Sequence, residues 1–241
     1  MVVEILKGGN WTEYVARDGD TVHRSRGPNA ATAAAILTTL ERLQYPFAPR
    51  YRGVDSEGHD LLSFIPGVTT SHPSERAEES YAEGARMLRC LHDLTRGHEL
   101  AGAEECIVHG DPGPFNTIFD ETGMPVALID WDSARPGQRL DDVAYFGWTW
   151  CIQAVGRVDP VDQARRLVAV RDGYGLDADA DLLSAVINSQ TQMALTSTQL
   201  LNRPGHDDTY YQRQQAVIDW ATADRAVILQ NRQLFETALA R

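Results

Sequence analysis

The stretch Cys106-Ile-Val-His109-Gly-Asp111-Pro-Gly-Pro-Phe-Asn116-Thr-Ile-Phe119-Asp-Glu-Thr-Gly123-Met-Pro-Val126-Ala-Leu-Ile129-Asp130-Trp131-Asp132 carries the chemistry of this chain. Apolar Ile107-Val108 delivers His109, Asp111 and Asn116 onto a loop. The runs 117–119 and 126–129 flank a turn at Gly123, which predicts a hairpin. One candidate, Asn116, precedes the first strand and the other, Asp130, follows the second, so a hairpin brings them together. An amide oxygen and a carboxylate so placed suit Mg²⁺, which takes hard oxygen ligands and keeps several waters. Asp111 faces the same point, and a carboxylate there orients an incoming hydroxyl and accepts its proton. A lone His-x-Asp is more often structural. Joined to Asn116 and to an apolar-Asp-Trp-Asp run behind a hairpin, it points to catalysis.

Upstream of this segment the chain reads as strands and turns. Residues 2–6 form a short strand, Gly8-Gly9-Asn10 a turn, and residues 11–16 resume β-type composition. Asp18-Gly19 suits a hairpin turn because Asp-Gly readily takes positive φ, and a third strand follows over 21–25. Asn29 is placed to cap a helix over 30–43, with Ile36, Leu37, Leu40 and Leu43 on one face. Residues 51–55 and 60–65 form another hairpin, closed by Pro66-Gly67. Downstream the pattern is helical over 75–94, 161–171, 182–201 and 210–240. Asp177, Asp179 and Asp181, and the run His206-Asp207-Asp208, read as helix starts rather than metal sites. Trp148, Trp150, Tyr210, Tyr211 and Trp220 read as packing rather than a ligand cage. A β-rich front, a polar middle and a helical back make an α+β chain with a lobe boundary near Pro66-Gly67.

Residue usage bounds the function. A chain of 241 residues, 43% hydrophobic and 23% charged, buries a core without disulfide or metal staples. The net charge of −12 argues against nucleic acid as a partner, since phosphate binding needs a basic stripe. An acidic surface admits cationic small molecules. No stretch has the apolar length of a membrane span, and the first residues lack the basic leader and long apolar core of a signal peptide. Cys90, Cys106 and Cys151 are too widely spaced for a metal knuckle, and an odd number of cysteines suggests a reducing cytoplasm. Neither a GxxxxGK[ST] loop nor a GxGxxG fingerprint is present. Lys7 is the only lysine.

The pattern His109-Gly-Asp111-x-x-x-x-Asn116, then Ile129-Asp130-Trp131-Asp132, then Arg139-Leu140-Asp141-Asp142-Val143-Ala144, resembles the aminoglycoside phosphotransferase-like, or phosphotransferase enzyme, family. The resemblance covers roughly residues 1–150 in order. The run Asp111-Pro-Gly-Pro-Phe-Asn116-Thr-Ile-Phe119 is also similar to small bacterial members, some of them trifolitoxin-immunity-like. The resemblance implies a bilobal protein-kinase-like fold, with a nucleotide-binding lobe over 1–66 and a catalytic, acceptor-binding helical lobe over 67–241. It implies Asp111 as base, Asn116 and Asp130 as Mg²⁺ ligands, His109 as a structural hold on the loop, and Asp142 as a brace from the following helix. Ser63, Phe64 and Ile65 fall at the hinge that binds the nucleobase through backbone groups. Gly8, Gly9 and Asn10 fall where a turn covers the phosphates, although Gly-Gly is as often a plain turn. Arg24 falls where the family has a lysine on the α- and β-phosphates. The implied donor is ATP or GTP, and the implied acceptor is a small hydroxyl-bearing molecule, aminoglycoside-like or another natural product.

Two departures follow from that alignment. Arg24 keeps the lysine's charge and adds a bidentate grip, but is longer. The next helix offers Ala33 or Thr32 where the family has a glutamate to pair with that lysine, and its only glutamate, Glu41, is near its far end. The usual ion pair is therefore expected to be missing or rebuilt. Val22 and Arg24 share one strand face. A guanidinium buried in a cleft needs an anionic partner, expected to be the phosphates with Asp130 sharing the charge. The missing pair also keeps a second reading open: a nucleotide-binding immunity or regulatory protein with little turnover.

Overall fold

A computed structural model describes residues 4–6, 14–177 and 180–240. The chain divides into two compact units, one made of residues 1–71 and 87–139, the other of residues 72–86 and 140–241.

The first unit is built on a five-stranded antiparallel sheet. Its strands are β1 (Glu4–Ile5), β2 (Val15–Asp18), β3 (Thr21–Arg24), β4 (Tyr51–Val54) and β5 (Asp60–Ser63), in the order β1-β2-β3-β5-β4. Pairing of Asp18 with Thr21 leaves a two-residue turn in which Gly19 has φ +62°, as Asp-Gly predicts. Between β3 and β4 runs α1 (Ala30–Arg42), which buries Ala33, Ile36, Leu37 and Leu40 at helical spacing. Asn29 stands at its N-cap position but makes no capping hydrogen bond.

The helix expected from residue 75 starts later. His72 and Glu75 close a capping box around a separate 3-10 turn, Pro73–Glu75, and α2 (Ser80–Thr95) begins only at Ser80. A wholly buried β6 (Cys106–Val108) follows. The hairpin of β7 (Thr117–Phe119) and β8 (Pro125–Leu128) forms as predicted, with Thr117 opposite Leu128. Asp120 ties its turn by accepting from the Thr122 N–H and hydroxyl and the Met124 N–H. The partner of β6 is β9 (Arg135–Gly137), a three-residue run with a central proline and no strand signal of its own. Trp131 is buried beneath the hairpin. Its indole N–H donates to the Leu128 carbonyl at 2.9 Å, and its ring meets Tyr45 and His109 edge-on.

The second unit is helical, with α3 (Arg139–Cys151) from Leu140 onward, α4 (Pro160–Tyr174), α5 (Leu182–Leu201), α6 (Asp208–Gln230) and α7 (Arg232–Leu239). Asp159, Asp181 and Asp207 accept from backbone N–H groups at the starts of α4, α5 and α6, so these acids are caps. Asp179 lies outside the described residues. The single helix expected over 210–240 is two, broken at Asn231 (φ −117°), whose side-chain amide donates to the Val227 carbonyl at 2.8 Å. Such local side-chain bonds compete with the helical ladder. Together, the small antiparallel sheet and the larger helical part bear out the α+β class. No described helix is long and apolar enough to cross a membrane, and none of the three cysteines is in a disulfide.

Asp224 anchors this helical unit. It is 1% exposed, and its two oxygens accept from the Trp148 indole N–H at 2.9 Å and the Ala154 N–H at 2.7 Å. Trp148 stacks on Trp220 with ring centroids 4.4 Å apart. Asp224→Ala strands the buried Trp148 indole N–H and removes the partner of the Ala154 N–H, and is expected to cost about 3 kcal/mol, read by denaturant unfolding. A loss within experimental error refutes the anchoring role. Burial pushes the Asp224 pKa above the ordinary 3.8. The folded state therefore holds this proton more tightly than the unfolded chain. That contribution to stability is full below the unfolded value and is lost as pH rises through the folded one.

Candidate active site

The polar loop is built around His109, which is fully buried. Its Nδ1 accepts from the Asp111 N–H at 3.3 Å, so the ring proton is assigned to Nε2, which donates to the Ile129 carbonyl at 3.1 Å. The imidazole thereby joins the start of the loop to the end of the hairpin. Gly110 turns the chain between them at φ +81°, where a Cβ would overlap the Ser133 carbonyl oxygen. No other residue fits there.

Asn116 fixes Asp111. Its Nδ2 donates to Asp111 Oδ2 at 2.9 Å and to the Asp111 carbonyl at 3.1 Å. With the nitrogen so used, the amide oxygen is the atom Asn116 offers to a cation. The Asn116 carbonyl accepts from the Ile129 N–H at 2.9 Å, which holds Asn116 beside the residue before Asp130. The hairpin thus performs the juxtaposition its sequence predicts. Asp130 itself sits in the left-handed region (φ +62°, ψ +63°) at the head of a 3-10 turn. Aspartate tolerates that conformation better than most residues.

Arg24 completes the site. Its side chain is 15% exposed, so it does not face solvent. Nη1 and Nη2 donate to Asp132 Oδ1 and Oδ2 at 3.0 and 2.7 Å, and Nη2 also donates to Asp130 Oδ1 at 2.7 Å. The ion pair that α1 fails to supply is rebuilt on these two carboxylates. Asp132 is the site residue that sequence reasoning missed. Its signal was an arginine with no helix acid, followed far downstream by a surplus acid two positions after Asp130. Asn29, expected as a cap, instead donates its amide to the Asp132 carbonyl at 3.1 Å.

These groups open on a cavity of about 790 Å³, a usual size for a small-ligand site. Val22 and Arg24 of β3 both line it, as their shared strand face predicts, together with Asp111, Asn116 and Asp130. Ser63, Phe64 and Ile65 line it as well. The Ser63 N–H donates to the Arg50 carbonyl and the Phe64 N–H to the Asp20 carbonyl, and the Arg17 guanidinium lies 3.6 Å over the Phe64 ring. The Ile65 N–H has no such backbone partner among the described residues. Gly8, Gly9 and Asn10 lie outside the described residues. Asp142 is buried in the first turn of α3, in the second unit. Among the described residues no cluster of three His, Cys, Asp or Glu side chains could hold a metal. Asn116 and Asp130 offer one amide oxygen and one carboxylate. That hard-oxygen pair fits a Mg²⁺ that keeps waters and shares phosphate oxygens.

Comparison with known proteins shows the family and the fold. Residues 30–176 match the sequence profile of the Phosphotransferase enzyme family. The chain is 30% identical to the trifolitoxin immunity protein of Rhizobium leguminosarum bv. trifolii over 272 aligned positions, covering 98% of this chain and 99% of that protein. Its fold is similar to that of the Plasmodium vivax ethanolamine kinase (TM-score 0.63, 13% identity, 94% of this chain and 84% of that one). It is also similar to a spectinomycin phosphotransferase solved with ADP and spectinomycin (TM-score 0.58, 11% identity, 98% and 88%). The fold is thus protein-kinase-like. With a matching profile over most of its length and a relative at 30% identity from end to end, the chain belongs to the Phosphotransferase enzyme family.

Proposed function

We propose that this protein transfers the γ-phosphate of a nucleoside triphosphate, ATP or GTP, to a hydroxyl of a small molecule, with Mg²⁺ as the metal. The observation that carries this reading is the convergence of Asp111, Asn116, Asp130 and Arg24 on one cavity. In this reading residues 1–66 are the nucleotide-binding lobe and 67–241 the catalytic and acceptor-binding part. Bound at Asn116 and Asp130, Mg²⁺ would neutralise charge on the phosphate oxygens. Asp111 accepts the acceptor's hydroxyl proton, with one of its oxygens held by the Asn116 amide. Arg24 binds phosphate oxygens in the lysine's place, and the Ile65 N–H takes an edge of the nucleobase. Gly8, Gly9 and Asn10 cover the phosphates. His109 and Asp142 are structural.

The acceptor is an aminoglycoside-like or other natural product. The family and the spectinomycin phosphotransferase likeness support this class, and the net charge of −12 suits a cationic acceptor rather than nucleic acid. The odd number of cysteines supports a reducing cytoplasm. A second reading, nucleotide binding with little turnover in an immunity role, is favoured by the end-to-end likeness to the trifolitoxin immunity protein.

Thermal unfolding with ATP or GTP, with and without Mg²⁺, tests both. Ligand at a hundred times its Kd adds about 2.7 kcal/mol. A Mg²⁺-dependent shift with transfer of labelled γ-phosphate across a panel of natural-product alcohols supports the kinase. A shift without transfer supports the immunity reading. No shift at millimolar nucleotide sinks both. Arg24→Ala is expected to weaken nucleotide binding about tenfold or more, with Arg24→Lys intermediate, because a charge-assisted, partly buried phosphate contact is lost. An unchanged nucleotide Kd in the alanine variant refutes the phosphate role.

A further inference from the structure

We infer that Asp132 is the residue that positions Arg24 in the cavity, and that the Arg24–Asp130 bond is the half of this clasp that yields when Asp130 takes Mg²⁺. The metal half of the inference rests on the phosphotransferase reading. The Arg24–Asp132 half rests on geometry alone.

A guanidinium that is 15% exposed requires a counter-charge. On α1 and β5 the acids are already engaged. The one acid of α1, Glu41, lies 3.9 Å from Arg50. Asp60, opposite Arg24 in the β3–β5 register, accepts from the Tyr51 hydroxyl at 3.1 Å and lies 3.5 Å from Arg26. Arg24 therefore reaches to Asp130 and Asp132, and it holds them unequally. Asp132 meets it fork to fork through both oxygens, while Asp130 gives one.

Asp132 is also the better anchored of the two on this side. Asn29 holds its carbonyl, and Gly27 leaves room for its carboxylate, since a Cβ there would stand 3.0 Å from Oδ2. A divalent cation on Asp130 competes for the oxygen that Arg24 uses and repels the guanidinium. Release of that one bond would free an Nη2 hydrogen for a phosphate oxygen, while the Asp132 fork keeps the guanidinium in place. Asp132 then does for Arg24 what no acid on α1 does.

The test uses Asp132→Asn, Arg24→Ala and the double variant. Without nucleotide, denaturant unfolding is expected to show coupling: Asp132→Asn destabilises the wild type and has little effect once Arg24 is alanine. With ATP, the Mg²⁺ concentration giving half-maximal binding is expected to rise about tenfold in Asp132→Asn, because Arg24 then falls back wholly on Asp130. The double variant is expected to match Arg24→Ala alone. A merely structural loss would not be relieved by removing Arg24. Gly27→Ala, which crowds Asp132 without changing a charge, is expected to shift the metal requirement in the same direction by less. Additive unfolding effects overturn the Arg24–Asp132 pair. An unchanged metal requirement in both Asp132→Asn and Gly27→Ala overturns the exchange. A wild type that binds no Mg²⁺–ATP overturns the phosphotransferase reading and the exchange with it, while the unfolding cycle still decides the pair.

Discussion

In Asp111→Asn, transfer to the acceptor is expected to fall about a hundredfold to ten-thousandfold while Mg²⁺–nucleotide affinity stays within about twofold of wild type. The substitution is nearly isosteric. Its amide oxygen still serves as acceptor for Asn116 Nδ2, so the loop set by His109 and Gly110 is retained. What disappears is a carboxylate able to take a proton. Phosphoryl transfer demands little covalent work of the protein, so the residue that orients and deprotonates the attacking hydroxyl carries a large share of the rate. Single-turnover kinetics at saturating nucleotide, with nucleotide titration alongside, separate the two quantities. A variant that keeps most of the wild-type kcat removes Asp111 from the base role. A parallel collapse of nucleotide affinity assigns it to the metal instead.

Asp130→Asn is expected to reverse that division, with Mg²⁺–nucleotide affinity falling about a hundredfold or more because the charged member of the ligand pair is lost. Asparagine is the informative choice. The residue has φ +62°, a conformation asparagine tolerates, whereas alanine adds about 1–2 kcal/mol of backbone cost unrelated to metal. Nucleotide affinity without Mg²⁺ is expected to hold or improve, since a carboxylate next to the phosphates no longer repels them. Calorimetric titration with and without Mg²⁺ reads both terms. Equal affinities for Mg²⁺–nucleotide in the variant and the wild type would show that Asp130 is not a metal ligand.

The loop and hairpin were legible because their pairing is local. Short β-type runs around Gly123 leave one sensible register, and that register places Asn116 beside Asp130 without knowledge of the rest. The strand face shared by Val22 and Arg24 was legible for the same reason. The Arg24–Asp132 pair was not. Its members are 108 positions apart, and no periodicity links residues so distant. Charge logic did go halfway: an arginine in a cleft with no helix acid had to find an anion, although not which one. Asn29 shows how a correct position misleads. It precedes α1 as a cap should, yet Asp132 takes its amide. The late start of α2 and the break at Asn231 turn on side-chain bonds within one turn of the backbone, which compete with helical periodicity rather than add to it.

The guanidinium in the cavity also decides how this protein responds to covalent reagents. Nucleotide analogues that carry an acylating or aldehyde group on the phosphates depend on a primary amine within reach. None of the described residues that line this cavity is a lysine, and its cation is Arg24. The delocalised electrons of Arg24 make it a poor nucleophile toward such groups. Amine-directed nucleotide probes are therefore expected to leave Arg24 unmodified even when they bind. A vicinal dicarbonyl, which condenses with guanidinium groups, is expected to modify Arg24, and bound Mg²⁺–nucleotide to protect it.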